Sequence, residues 1–163
     1  MVIRCTRKVL DQLPPDTPLA EPPADDGDWY LNLLWIERRK CLLLVHAGTL
    51  FSVFRPAIRK ADLRDLPGLV AAMISPELAR EGLPHHTYGP LPPPAVVIAK
   101  TASRHTLGHV NEIAFHLQHV IARDGGLEHT DLDEVHHHLH RDLHNRHGTY
   151  IRPIDLAGSS CGA

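Results

Sequence analysis

Between residues 29 and 56 the apolar positions fall into blocks, WYLNLLWI, CLLLVHA and LFSVFRPA, separated by ERRK and by Gly-Thr. Runs of leucine, valine and aromatics bounded by charged or glycine turns predict three consecutive antiparallel strands, a meander. Residues 2–6 alternate weakly and predict a short first strand, followed by one or two helical turns over residues 7–13. The β-branched run AVVIAKT at residues 95–101 predicts a further strand.

The period then changes. Residues 58–79 place Leu63, Leu66, Leu69, Val70, Met73 and Ile74 at helical spacing, with a break expected at Pro67 or Pro76. Residues 106–123 carry a stripe of Leu107, Val110, Ile113, Ala114, Leu117, Val120 and Ile121, ended by Asp124-Gly125-Gly126, with Thr106 as a candidate N-cap. A third helix is expected from Thr130 or Asp131 to about residue 145, burying Leu132, Val135, Leu139 and Leu143 and closed by Gly148, with TYIRPIDL extended beyond it. Together these elements predict an α+β fold: an antiparallel meander sheet of four to five strands packed against about three helices on one face. Residues 1–163 read as a single domain, with a loop rich in proline and acid at 13–28 and a proline-rich connection at 82–94.

Composition narrows the function classes. A formal net charge of −2 provides no general basic field, so nucleic-acid binding is not expected from net charge and would have to be local. Cys5, Cys41 and Cys161 are an odd number without CxxC spacing, which argues against a disulfide scaffold or thiolate zinc site and suits a reducing compartment. The N-terminus has charges where a signal peptide is apolar, and no run approaches a membrane span, so a soluble cytoplasmic protein is expected.

The 14 histidines are the conspicuous chemistry. On an ideal helix His136, His140, His144 and His147 fall within about 80° of one another, beside the apolar stripe, with Asp133 among them. His105, His109, Glu112, His116 and His119 form a similar strip on the preceding helix. If the strips met, His109, Glu112, His116, His140 and His144 could supply a three-ligand site with an open position, and zinc or another divalent transition metal would be the cofactor. No HExxH is present and HVNE lacks its second histidine, so no motif prescribes a cofactor. The plain alternative is a solvent face written in histidine, and His85 and His86, in a loop with Tyr88, fit that description.

Other polar groups offer binding chemistry. Thr101, Ser103 and Arg104 precede a helix N-terminus and could hold an anion, or simply cap and pack. Glu37-Arg38-Arg39-Lys40 sits at the expected hairpin tip, where cations either touch phosphates or keep an edge soluble. Trp29, Tyr30 and Trp35 alternate with leucines and read as core and rim aromatics. Cys41 opens an apolar strand and reads as a buried, inert thiol.

Asn-Leu-Leu at 32–34, Arg-Lys-Cys at 39–41, Thr-Leu-x-Ser-Val at 49–53 and Arg-x-x-Leu-Gly-x-x-Asn-Glu at 104–112 resemble, in order and across nearly the whole chain, a small bacterial domain family of unassigned function. The resemblance implies a fold and a single-domain boundary and brings no activity with it. The resembling positions are Asn32, Arg39, Lys40, Thr49, Ser52, Arg104, Gly108 and Asn111, whereas most histidines of residues 136–147 lie outside the pattern.

Three functional expectations follow. The first is a non-catalytic binding or regulatory module that recognises an anionic ligand or a protein partner through Asn32, Arg39, Lys40, Arg104 and Asn111. The second is a histidine-ligated, metal-dependent hydrolase, with phosphoesters as a candidate substrate. The third is a pH-responsive association surface built from the same histidines.

Overall fold

The computed structural model describes residues 1–159, so Cys161 lies outside the described residues. Three strands form the expected meander: β2 (Trp29–Ile36), β3 (Arg39–His46) and β4 (Ser52–Arg55). The strand β1 (Val2–Cys5) adds to the free side of β2, and β5 (Val97–Lys100) adds to β1, both in parallel. The five-stranded order β4-β3-β2-β1-β5 is therefore a mixed sheet, which corrects the expected all-antiparallel meander. The connections out of β1 and β4 are long, and length is what parallel pairing requires.

Helices cover both faces, correcting the expectation of one. In β2 every residue but Trp35 is buried, and Cys41–Val45 of β3 is buried throughout, so neither side of the central strands faces water. One face packs Ile3, Trp29, Leu31, Leu42 and Leu44 under α1 (Arg7–Leu10) and α2 (Leu66–Arg80). The other packs Tyr30, Leu34, Leu43 and Val45 under α3 (Arg104–Arg123) and α4 (Leu132–Arg141). Near-continuous apolar strands are the mark of a sheet buried on both sides.

Local chemistry sets the element ends. A 3-10 turn at Lys60–Arg64 precedes α2, and Asp65 caps that helix by accepting from Gly68 N at 3.0 Å. The break thus falls just ahead of Pro67, while Pro76 lies within the helix. Ser103, not Thr106, caps α3, its Oγ accepting from Thr106 N at 3.1 Å.

The third helix ends at Arg141 and not near residue 145. Asp142 turns extended (ψ 142°), and a hairpin follows, β6 (His144–Arg146) and β7 (Thr149–Ile151). Its two turn residues, His147 and Gly148, both have positive φ, 52° and 83°, the backbone of a tight primed turn. Leu143, expected in the core, is exposed, and Pro153 opens a last helix, α5 (Pro153–Ser159), where extended chain was expected.

The proline-rich loop 13–28 is pinned by Arg4. That fully buried guanidinium donates to Asp28, to the carbonyls of Pro22 and Pro23, and to Lys100 O. Among the described residues no helix is long and apolar enough to cross a membrane.

Candidate metal centre

The apolar stripe of α3 sinks Val110, Ile113, Ala114 and Leu117 against the sheet, which sets His109 at the edge of the core and Glu112 one turn further along. His109 is 7% exposed, and its Nδ1 lies 3.7 Å from Glu112 Oε2. His144 arrives from the β6–β7 hairpin. Arg146 anchors that hairpin by donating to Gly48 O (2.6 Å) and Asp26 Oδ1 (2.7 Å), and Asn145 Oδ1 accepts from Gly148 N (2.9 Å) across the turn. The hairpin therefore holds His144, 8% exposed, edge-on to His109 with ring centroids 6.2 Å apart.

One donor atom from each of His109, Glu112 and His144 lies within 4.8 Å of the other two. Two buried imidazole nitrogens here, His109 Nδ1 and His144 Nε2, have no hydrogen-bond partner among the described residues. A buried polar atom without a partner costs roughly 1–3 kcal/mol, and two side by side need a reason. Burial pushes both rings below the ordinary histidine pKa, reinforced at His109 by His105 and His144. Both rings are thus held neutral, the form in which imidazole offers a lone pair to a metal.

Around this trio stand further imidazoles. His105 Nε2 lies 3.3 Å from His109 Nε2, and the His147 ring stacks on His105 at 4.2 Å. A pocket of about 190 Å³ beside Glu112 and His144 is lined by Ile113, His116, Leu139, Asp142 and Leu143. It shares His116, Leu139 and Asp142 with a second hollow along α3 and α4, lined also by Asp124, Asp131, Glu134 and Arg123.

Of the five metal candidates in the sequence, His109, Glu112 and His144 come together and the exposed His116 lines the adjoining pocket. His140 stands apart. Its Nδ1 meets Glu81 Oε1 at 2.9 Å and its Nε2 meets Ser52 O at 2.9 Å, so both nitrogens are engaged. His136, on the same helix, accepts from Phe54 N at 3.0 Å, so α4 turns these histidines toward β4 and α2. His144 and His147 reach α3 because the chain leaves the helix at Asp142, a step for which the histidine spacing carried no signal.

The polar set Asn32, Arg39, Lys40, Arg104 and Asn111 does not assemble in one place. Asn32 is buried and accepts from Thr6 Oγ1 at 3.1 Å, joining β2 to the end of β1. Arg104 and Asn111 are exposed on α3, and Ser103 Oγ is occupied as a cap, which is the capping alternative for that segment. Arg39 pairs with Glu128 at 2.9 Å, and Lys40 contacts Gln12 with its ammonium 5.5 Å from the Trp35 ring.

Searches of curated proteins and of solved structures found no match. A family model does match, over residues 2–156, and the chain accordingly belongs to the family described as Domain of unknown function (DUF6933).

Proposed function

We propose that this chain is a metal-dependent hydrolase whose single divalent ion, zinc by the chemistry of its donors, is held by His109, Glu112 and His144. The observation that carries the reading is that His109 and His144, each with an unpartnered buried nitrogen, bring donor atoms together with the Glu112 carboxylate. Ligands of tetrahedral zinc with bonds of about 2.0–2.1 Å stand roughly 3.3 Å apart. A side-chain adjustment of an ångström or so closes the set.

Two histidines and one glutamate are a donor set of catalytic zinc, which keeps a position open, whereas structural zinc is enclosed by four protein ligands. No fourth histidine, cysteine or carboxylate among the described residues joins the trio at that distance. Bound zinc would supply a hydroxide near neutral pH. His116 and Asp142, lining the pocket beside Glu112 and His144, are the groups placed to accept a proton. The groove carries Asp124, Asp131, Glu134 and Asp142 against one arginine, Arg123, which weighs against a phosphoester and favours a neutral or cationic acyl substrate such as a peptide.

The test is metal content by mass spectrometry of tag-free protein prepared without nickel resin or chelator, followed by zinc-dependent cleavage of a peptide and ester panel. About one equivalent of one metal is expected, falling near zero in His109→Ala and His144→Ala. Sub-stoichiometric mixed traces, unchanged in those variants, would sink the site. Stoichiometric metal without cleavage would leave a metal-binding domain and end the hydrolase reading.

A further inference from the structure

At the other end of the β2–β3 ladder the molecule is built from different chemistry. Ile36 pairs with Arg39 there, and the two residues between them, Glu37 and Arg38, both adopt positive φ, 50° and 63°. Such a turn favours Asn-Gly. Charged residues occupy it instead, and the hairpin tip is tied down by Glu37, whose Oε1 accepts from Leu127 N at 3.1 Å. That bond also directs the tip's own carboxylate toward the α3–α4 loop.

What remains at the tip is cationic. Arg38, Arg39 and Lys40 line an open cleft of about 560 Å³ together with Arg59 and Lys60, which the chain brings back from beyond β4. Glu128 pairs with Arg39, but no carboxylate pairs with the side chains of Arg38, Arg59 or Lys60 among the described residues. Five cations thus share one cleft on a chain whose formal net charge is −2. The wall of the cleft includes Trp35, 55% exposed, the one position of β2 that faces water.

We propose that this cleft binds single-stranded nucleic acid, with phosphates on Arg38, Arg39, Arg59 and Lys60 and a base stacked on Trp35. A cationic groove bordered by an open aromatic is how unpaired strands are held without sequence readout. An acidic peptide would use the cations and leave unused the exposed part of the indole, whose ring has the Lys40 ammonium 5.5 Å from its centroid. An anionic membrane would ask for protruding aliphatic side chains beside the tryptophan, yet Ile58, the aliphatic neighbour in the cleft, is buried. The site is independent of the metal reading, since none of its residues belongs to the His109 trio.

Trp29 is buried and Trp35 exposed, and they are the only tryptophans, so a change in intrinsic fluorescence on ligand addition reports the cleft. A labelled oligouridylate of about twelve nucleotides should bind with quenching of that fluorescence, as expected for one stacked base. With three or four phosphates neutralised, affinity should fall roughly 20- to 50-fold between about 50 and about 200 mM salt. Trp35→Ala should weaken binding about 5-fold or more, and Arg38→Glu with Lys60→Glu should abolish it while thermal unfolding is unchanged. No salt-dependent binding of the oligouridylate overturns the proposal. Equal affinity for polyphosphate without quenching, or preference for phosphatidylserine vesicles, overturns it too, because the indole would then read no base. If the charge-reversed protein unfolds, the Trp35→Ala result decides.

Discussion

Two pairs of histidines lie at similar depth on the α3–α4 side of the sheet, and they differ in how much of their polar surface the fold engages. His136 and His140, 4% and 0% exposed, are wired into the fold. Phe54 N donates to His136 Nε2, which leaves the ring proton on Nδ1, an atom without a hydrogen bond among the described residues that faces Glu77 Oε1 at 3.4 Å. His140 meets Glu81 Oε1 and Ser52 O at its two nitrogens, and its ring stacks on Phe51 at 4.0 Å. His109 and His144 are nearly as buried, and each carries a nitrogen with no hydrogen-bond partner among the described residues. Burying an imidazole is stabilising only when its polar atoms are answered. Three of the four nitrogens of the α4 pair are hydrogen-bonded within the protein and the fourth, His136 Nδ1, faces the Glu77 carboxylate, whereas the α3–hairpin pair brings donor atoms within 4.8 Å of each other and of Glu112.

The largest expected effect separates the pairs outright. His140→Ala removes the contacts to Glu81 and Ser52 O and opens a hole against Phe51, so it should cost about 3 kcal/mol of unfolding free energy. Arg141, which donates to both Glu81 oxygens at 2.9 and 2.7 Å, keeps that carboxylate from being stranded and limits the loss. Metal stoichiometry should not change. His144→Ala should do the reverse, costing about 1 kcal/mol or less in chelator, because an unsatisfied atom leaves with the ring, and abolishing metal binding. Urea unfolding and metal analysis on both variants would show it. A His144→Ala protein as unstable as His140→Ala would erase the distinction.

Acid sharpens the same contrast at intermediate size. Burial lowers the pKa of His109, His136 and His144, and takes His46 down to about 4 from 6.5. His46 is held neutral by geometry as well, since Thr49 N donates to its Nδ1 at 3.2 Å. A ring whose folded pKa lies below its unfolded value takes up protons first in the unfolded chain. Stability is then full above about pH 6.5 and falls between about pH 6.5 and about pH 4, levelling once the folded ring also protonates. His46 contributes at most about 3 kcal/mol to that fall. Glu81 adds a separate window: Arg141 and His140 hold it at about 2, so its contribution is present above 4.5 and lost as pH falls toward 2. Zinc should steepen only the upper window, because it competes with protons for His109 and His144. A zinc effect confined to the lower window would place the ion elsewhere.

Sequence periodicity showed part of this. The β2–β4 meander and the buried stripe of α3 follow from residue pattern, and so does the placement of His109 and Glu112 one turn apart on one helix. The strands β1 and β5 were marked by weak alternation and a β-branched run, but their parallel direction left no local mark, because their partners lie far along the chain. The end of α4 was hidden for a different reason. Leu143 continues the four-residue spacing of the buried positions of α4, Val135 and Leu139, and no glycine or proline intervenes before Gly148. Only the turn at His147 and Gly148, held down by Arg146, shows that His144 leaves the helix. The cationic cleft was half legible: residues 38–40 are contiguous, but Arg59 and Lys60 join them only in space.

The smallest effect tests how the α3–hairpin pair is aimed. His105 is exposed and contributes little to the core, yet its Nε2 sits 3.3 Å from His109 Nε2 and its ring is backed by His147. If His109 gives Nδ1 to the metal, its Nε2 proton is donated to His105, the outer hydrogen bond that fixes tautomer and ring orientation in metal-binding histidines. His105→Ala should then weaken zinc about 10-fold, the lower end for such partners, with the urea midpoint of the metal-free protein unchanged. His105→Gln, which restores an acceptor at similar reach, should recover most of the affinity. Competition with a chromogenic chelator resolves a change of that size. Equal zinc affinity in wild type and His105→Ala would mean that packing on α3 alone orients His109, and the two histidine pairs would differ only in what they touch, not in how they are held.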